Sequence, residues 1–158
     1  RYARVVDEGY RSRFGLTWPT GKDAAMPLEF DPLSPGFQLG LTTESSGLVA
    51  NVTGRIDTVD ALIALFVMIG ADLQRTGLRK LLVIDHTFGI VPPEDQLRRL
   101  FSSIEGRGFA KVRVAYVDAR GTAINRMEVG EIMGREQGYE CRVFDNEARA
   151  RIWLHYGE

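Results

Sequence analysis

Lys80-Leu81-Leu82-Val83-Ile84-Asp85-His86-Thr87 is the stretch on which the fold turns. An uninterrupted apolar run too short for a helix, closed at once by polar residues, reads as a strand covered on both faces. Leu78 to Asp85 is therefore assigned as a buried strand. Such strands sit in parallel sheets and are joined by helical crossovers, so helices are expected on either side. Upstream, Thr58 is placed as an N-cap with Asp60 in the first turn, and Val59, Leu62, Ile63, Phe66, Ile69 and Leu73 recur at helical spacing up to Thr76-Gly77. Downstream, Pro92-Pro93-Glu94-Asp95 opens a second helix carrying Leu97, Leu100, Phe101 and Ile104 on one side.

The same reading extends outward. Lys111 to Val117 is a second buried strand, Thr122 to Gln137 a third helix with Ala123, Met127, Gly130 and Gly134 on one side, and Tyr139 to Phe144 a last strand. Glycines on that helix are expected to let it approach the sheet. Asp145-Asn146-Glu147 caps a final helix ending near Trp153-Leu154. Before the first helix, Phe37 to Thr42 and Leu48 to Thr53 flank Glu44-Ser45-Ser46-Gly47, which predicts an antiparallel hairpin. Residues 37–158 thus form one α/β domain: a hairpin, then alternating α and β in a mixed, largely parallel sheet with right-handed connections and helices packed on it. Pro19, Pro27, Pro32 and Pro35 make residues 1–36 an N-terminal arm, partly irregular, in which Tyr2, Val5, Val6, Tyr10 and Phe14 also fit a short helix. The chain opens on Arg1 without the apolar core of a signal peptide, and Met26 is an alternative start.

Composition excludes several functions. Twenty Lys plus Arg against 21 Asp plus Glu is a balance that nucleic-acid binders rarely show, so no nucleic-acid partner is expected. The longest uncharged apolar stretch runs only from Ala61 to Ala71, against the ~20 residues of a bilayer span, so no transmembrane segment is expected. A lone cysteine, Cys141, fits a cytoplasmic location and reads as a small buried hydrophobe rather than a nucleophile. His86 and His155 have no partner at ligand spacing, and there is neither a Gly-X-Gly-X-X-Gly nor a Walker-type loop, so no metal and no cofactor are assigned.

Element order and several local strings resemble the STAS domain superfamily, and within it the SpoIIAA-like branch. The resemblance covers Phe37 to Tyr156 and rests most on Arg142-Val143-Phe144-Asp145-Asn146-Glu147-Ala148-Arg149-Ala150-Arg151-Ile152-Trp153-Leu154, supported by Gly54-Arg55-Ile56-Asp57. It implies a bacterial regulatory module that binds a protein partner. Anti-sigma antagonists of that superfamily carry a phosphorylatable Ser at the start of the second helix. Here that stretch reads Ile90-Val91-Pro92-Pro93-Glu94-Asp95, with no Ser or Thr. Glu94 and Asp95 either imitate the phosphorylated state or simply cap the helix.

Three places are singled out for function, the first being the Ile90 to Asp95 helix start, where Glu94 and Asp95 are taken, with the first helix, as a protein-interaction surface. The first helix carries Ala61, Ala64, Leu65, Met68 and Ala71 outside its core stripe, which makes it apolar nearly all round. A dimer mate or protein partner, the arm, or an apolar small molecule would each cover that side. Asp85, His86 and Thr87 form the best polar cluster, at a strand end where open α/β sheets place ligands. His86 as base and Thr87 as nucleophile would make an enzyme, although neighbouring strand residues point to opposite faces. The expected activity is non-catalytic binding of a protein, with a carrier of an apolar molecule and an enzyme using His86 and Thr87 as alternatives.

Overall fold

The computed structural model describes residues 2–3, 36–89, 91–121 and 124–157. The rest of the arm, Ile90, Glu158, and Thr122 and Ala123, on which the start of the expected third helix falls, lie outside the described residues. In chain order the elements are β1 (Tyr2–Ala3), β2 (Phe37–Glu44), β3 (Gly47–Ile56), α1 (Val59–Thr76), β4 (Lys80–Asp85), β5 (Phe88–Gly89), α2 (Glu94–Ile104), β6 (Arg113–Asp118), α3 (Ile124–Glu136), β7 (Glu140–Phe144) and α4 (Glu147–Tyr156). The sheet runs β1-β2-β3-β4-β6-β7, antiparallel across the first three strands and parallel across the last four. The expected hairpin followed by αβ units is thus the architecture observed.

Local chemistry sets the boundaries. Thr58 accepts the Ala61 N–H at 3.2 Å to start α1, and Gly77, left-handed at φ 70°, returns its N–H to Leu73 O to end it. Asn146 caps α4 by accepting from Arg149 N, and Gly157 closes it two residues beyond the expected end. The hairpin loop is shorter than read, because Glu44 and Gly47 pair and leave Ser45-Ser46 as the turn. Strand β6 begins at Arg113 rather than Lys111, since Lys111 takes a left-handed φ of 61° that no strand accepts. Phe88–Gly89 forms the short strand β5, which pairs in parallel with Arg55 and Ile56 at the end of β3.

The parallel strands are added in one direction, so right-handed crossovers carry α1, α2 and α3 to the same face. The main core lies there, with Leu48, Ala50, Val52, Leu81, Val83 and Val114 as its sheet wall. Alternate residues, Val49, Leu82, Ile84, Ala115 and Val117, meet Ala150, Trp153 and Leu154 of α4 on the other face. Asp60, at the start of α1, is tied to Arg99 of α2. At the β7 edge, Glu131 accepts the Val143 N–H at 3.4 Å and Arg135 donates to Cys141 O at 3.2 Å, so two side chains of α3 occupy edge groups that another strand would use.

One expectation is corrected. The side of α1 assigned to a partner is not open: Ala61, Ala64, Leu65 and Met68 are buried and Ala71 is half-buried within a single chain. A helix apolar all round must be closed on both sides, and here this needs no second copy. Of the expected close approaches by α3, Gly134 is one, since a Cβ there would stand 2.7 Å from Cys141 Sγ. Gly130 is not, since its nearest neighbour would be Leu97 Cδ1 at 4.0 Å. No helix among the described residues is long and apolar enough to cross a membrane.

Candidate functional site

Strands β4 and β6 both end on an aspartate. Asp85 and Asp118 are register partners across the parallel pair, so their side chains leave the sheet on the same face, the one covered by α2 and α3. Asp85 accepts three hydrogen bonds: from Thr87 N at 2.7 Å, from Thr87 Oγ1 at 2.6 Å, and from the Tyr116 hydroxyl. The first of these is the local turn that an aspartate commonly makes with the N–H two residues on. Burial, then the Asp85 charge, push the Tyr116 hydroxyl well above the ordinary phenol range, so this residue stays a protonated donor.

Above these strand ends lies a cavity of about 330 Å3, at the small end of ligand pockets. Its walls are apolar and aromatic, with Leu62 and Phe66 from α1, Leu97, Leu100 and Phe101 from α2, and Phe109, Val114 and Tyr139 completing them. Asp85, Thr87, Tyr116, Asp118 and Arg120 make the polar end. Phe88 and Gly89 form a strap beside it. Gly89, at φ 128°, lies so close to Ile56 O that a Cβ would stand 1.8 Å away, and the Arg120 guanidinium stacks 3.6 Å over the half-exposed Phe88 ring.

The sequence-derived candidates divide on this geometry. Asp85 and Thr87 line the cavity, whereas the His86 side chain is exposed and does not. The His86 backbone N–H bonds to Val52 O, which fixes this outward turn. Thr87 donates its hydroxyl proton to Asp85, so His86 and Thr87 are not a base and nucleophile facing one substrate. Glu94 and Asp95 are exposed in the first turn of α2, where Glu94 pairs with Arg98 at 2.8 Å, and neither reaches the cavity. Ala61, Ala64, Leu65, Met68 and Ala71 do not line it either.

Tyr116, Asp118, Arg120 and Cys141 were not singled out for the site. The usable signal was that the runs ending at Asp85 and Asp118 both finish on an aspartate, and adjacent parallel strands bring such ends together. Cys141 is half-buried in the cavity wall, its thiol 3.7 Å from Glu131 O. Burial, and then Glu131, raise its pKa from 9.0 to about 11, so the thiolate is scarce at neutral pH. Its reaction rate with iodoacetamide should rise about tenfold per pH unit above pH 7 and level off near pH 11. A plateau near pH 9.0 would show an unperturbed thiol. The sign for stability follows. The folded state holds this proton more tightly than the unfolded one, so the contribution is intact below pH 9.0 and is lost as pH rises towards 11.

Among the described residues no group of three or more His, Cys, Asp or Glu is placed to hold a metal ion. What this arrangement offers chemically is a largely apolar cleft with charged and hydrogen-bonding groups, Asp85, Asp118 and Arg120 among them, at the strand ends. No family model matches the chain, and no curated protein matches it either, so the site is known by its own residues.

Proposed function

We propose that this chain is a non-catalytic binding domain that shelters an apolar small molecule between α2, α3 and the sheet. The observation that carries the reading is the 330 Å3 cavity, walled by aliphatic and aromatic side chains and polar at one end. The cavity opens to solvent on one side, and an apolar ligand entering it would remove its aliphatic and aromatic lining from water. The hairpin followed by αβ units is also the element order on which the STAS resemblance rests, and we retain a STAS-like regulatory role as the setting for this binding. A cytoplasmic location rests on the lone thiol.

Native mass spectrometry of the protein as purified tests the reading, together with saturable uptake of decanol. Gly130 supplies the control. It lines the cavity with room beyond its Cα, so Gly130→Leu should fill the space and reduce decanol uptake by at least tenfold, while Gly130→Ala should bind normally and gain about 1 kcal/mol from helix propensity. Bare-chain mass with no saturable uptake by the parent protein would overturn the carrier reading.

A second reading, docking of a protein partner, is favoured by one observation. Val129 and Ile132 are exposed large apolar residues one turn apart on α3, the helix whose Met127, Gly130 and Glu131 line the cavity. Val129→Lys with Ile132→Lys would then abolish partner capture without changing decanol uptake.

A further inference from the structure

We infer that the cavity selects an apolar molecule with a carboxylate head, held by the Arg120 guanidinium at the strand ends. This rests on the carrier reading and specifies the ligand's chemistry. Arg120 lines the cavity, is exposed, and stands just beyond the end of β6. Open α/β sheets take up ligands there, outside the carboxyl ends of their strands.

The charges of the wall differ in what already holds them. Asp85 accepts from Thr87 N, from Thr87 Oγ1 and from the Tyr116 hydroxyl. Asp118 is buried and has an interaction partner of its own. Glu131 is paired with Arg135 and accepts the Val143 N–H. Arg142 follows Cys141 on β7, so its side chain leaves the sheet on the opposite face, where its guanidinium is 5.6 Å from the Phe144 ring. Arg120 differs from all of these: among the described residues its guanidinium makes no hydrogen bond or ion pair and rests on the Phe88 ring.

Stacking holds Arg120 in place without using its donors. A guanidinium 3.6 Å from the Phe88 ring centre lies flat on the ring, so its N–H groups point outward around the plane. A carboxylate offers two acceptor oxygens spaced for that fork. An ammonium would meet the like charge of Arg120, with three of the about four acceptor sites on Asp85 already taken. A hydroxyl head accepts the same hydrogen bond without the charge.

Decanoate, decanol and decylamine share one chain length and differ in the head, so the three compare the polar end alone. The readout is local: protection of Cys141, the chain's single cysteine and part of the cavity wall, from the neutral disulfide 4,4′-dithiodipyridine at pH 8. Cys141 is level with Val114, ~13 Å back along β6 from Asp118, where the tail of a ligand anchored at Arg120 would lie. Decanoate should half-protect at a concentration at least about fivefold below decanol, with decylamine weakest, as expected for a forked charge pair at an exposed rim. Arg120→Gln, checked as folded by circular dichroism, should bring decanoate to the level of decanol. Equal protection by all three, a preference for decylamine, or an undiminished acid preference in the folded variant would overturn the head-group assignment and leave the carrier reading standing. Protection by none would overturn both.

Discussion

Met68→Glu should unfold the domain rather than release a folded monomer. Met68 is 1% exposed and belongs to the main core cluster with Leu65, Ile69 and Leu73 of its own helix. A carboxylate there has no described partner to replace the water it loses, and the cost of burying it is about 4 kcal/mol or more. A domain of ordinary stability has about 5 to 15 kcal/mol in total, so most or all of the margin is consumed. Met68→Leu, close in volume and still apolar, should cost less than about 1.5 kcal/mol. Sedimentation equilibrium and circular dichroism decide between the outcomes. A folded, monomeric Met68→Glu chain derived from a dimeric parent would return the outer side of α1 to the role of an interface.

Gly70→Ala should destabilise by about 2 to 3 kcal/mol although alanine is the better helix former. Gly70 lies within α1 where the loop after α2 crosses it. A Cβ at Gly70 would stand 2.1 Å from Arg107 O and 2.9 Å from Phe109 Cε2. The approach is mutual, because Gly108, at φ 107°, would bring a Cβ to 2.3 Å from Gly70 O. The obstructing atoms are backbone on both sides, so no rotamer change relieves the contact. The ~1 kcal/mol gained in helix propensity is outweighed by displacement of a loop that also places Phe109 against Phe66 and the cavity. For a chain of this size the melting temperature should fall by roughly 5 to 10 °C, the opposite sign from Gly130→Ala. A rise in melting temperature for Gly70→Ala would mean that the loop stands off from α1.

These two glycines show where local reading stops. Both occur in helices and look alike in sequence, yet Gly70 faces a carbonyl within van der Waals distance and Gly130 faces open space. Nothing in helical periodicity distinguishes them, because the neighbour that matters comes from another part of the chain. The same holds for Lys111, which extends an apolar strand pattern but adopts a left-handed conformation, and for Phe88–Gly89, whose pairing with Arg55 and Ile56 depends on where β3 continues past β4.

The sequence by itself determined the α/β class, the hairpin, the order of helices and strands, and the caps at Thr58, Gly77 and Asn146. Each of these depends on residue types within a few positions of one another, where periodicity and hydrogen bonding to the nearest backbone groups decide. Within the site, it made Asp85 and Thr87 legible as part of a polar strand end but grouped His86 with them, and the structure turns His86 outward. Only the tertiary structure decided that Asp118 stands beside Asp85, that Tyr116 bonds to it, and that Cys141 closes the wall, since these residues come from three strands joined by two helical crossovers. It also decided that the second side of α1 is core and that a cavity lies under α2 and α3. A void is set by the volumes of side chains that meet from distant parts of the chain, and no local pattern encodes that sum.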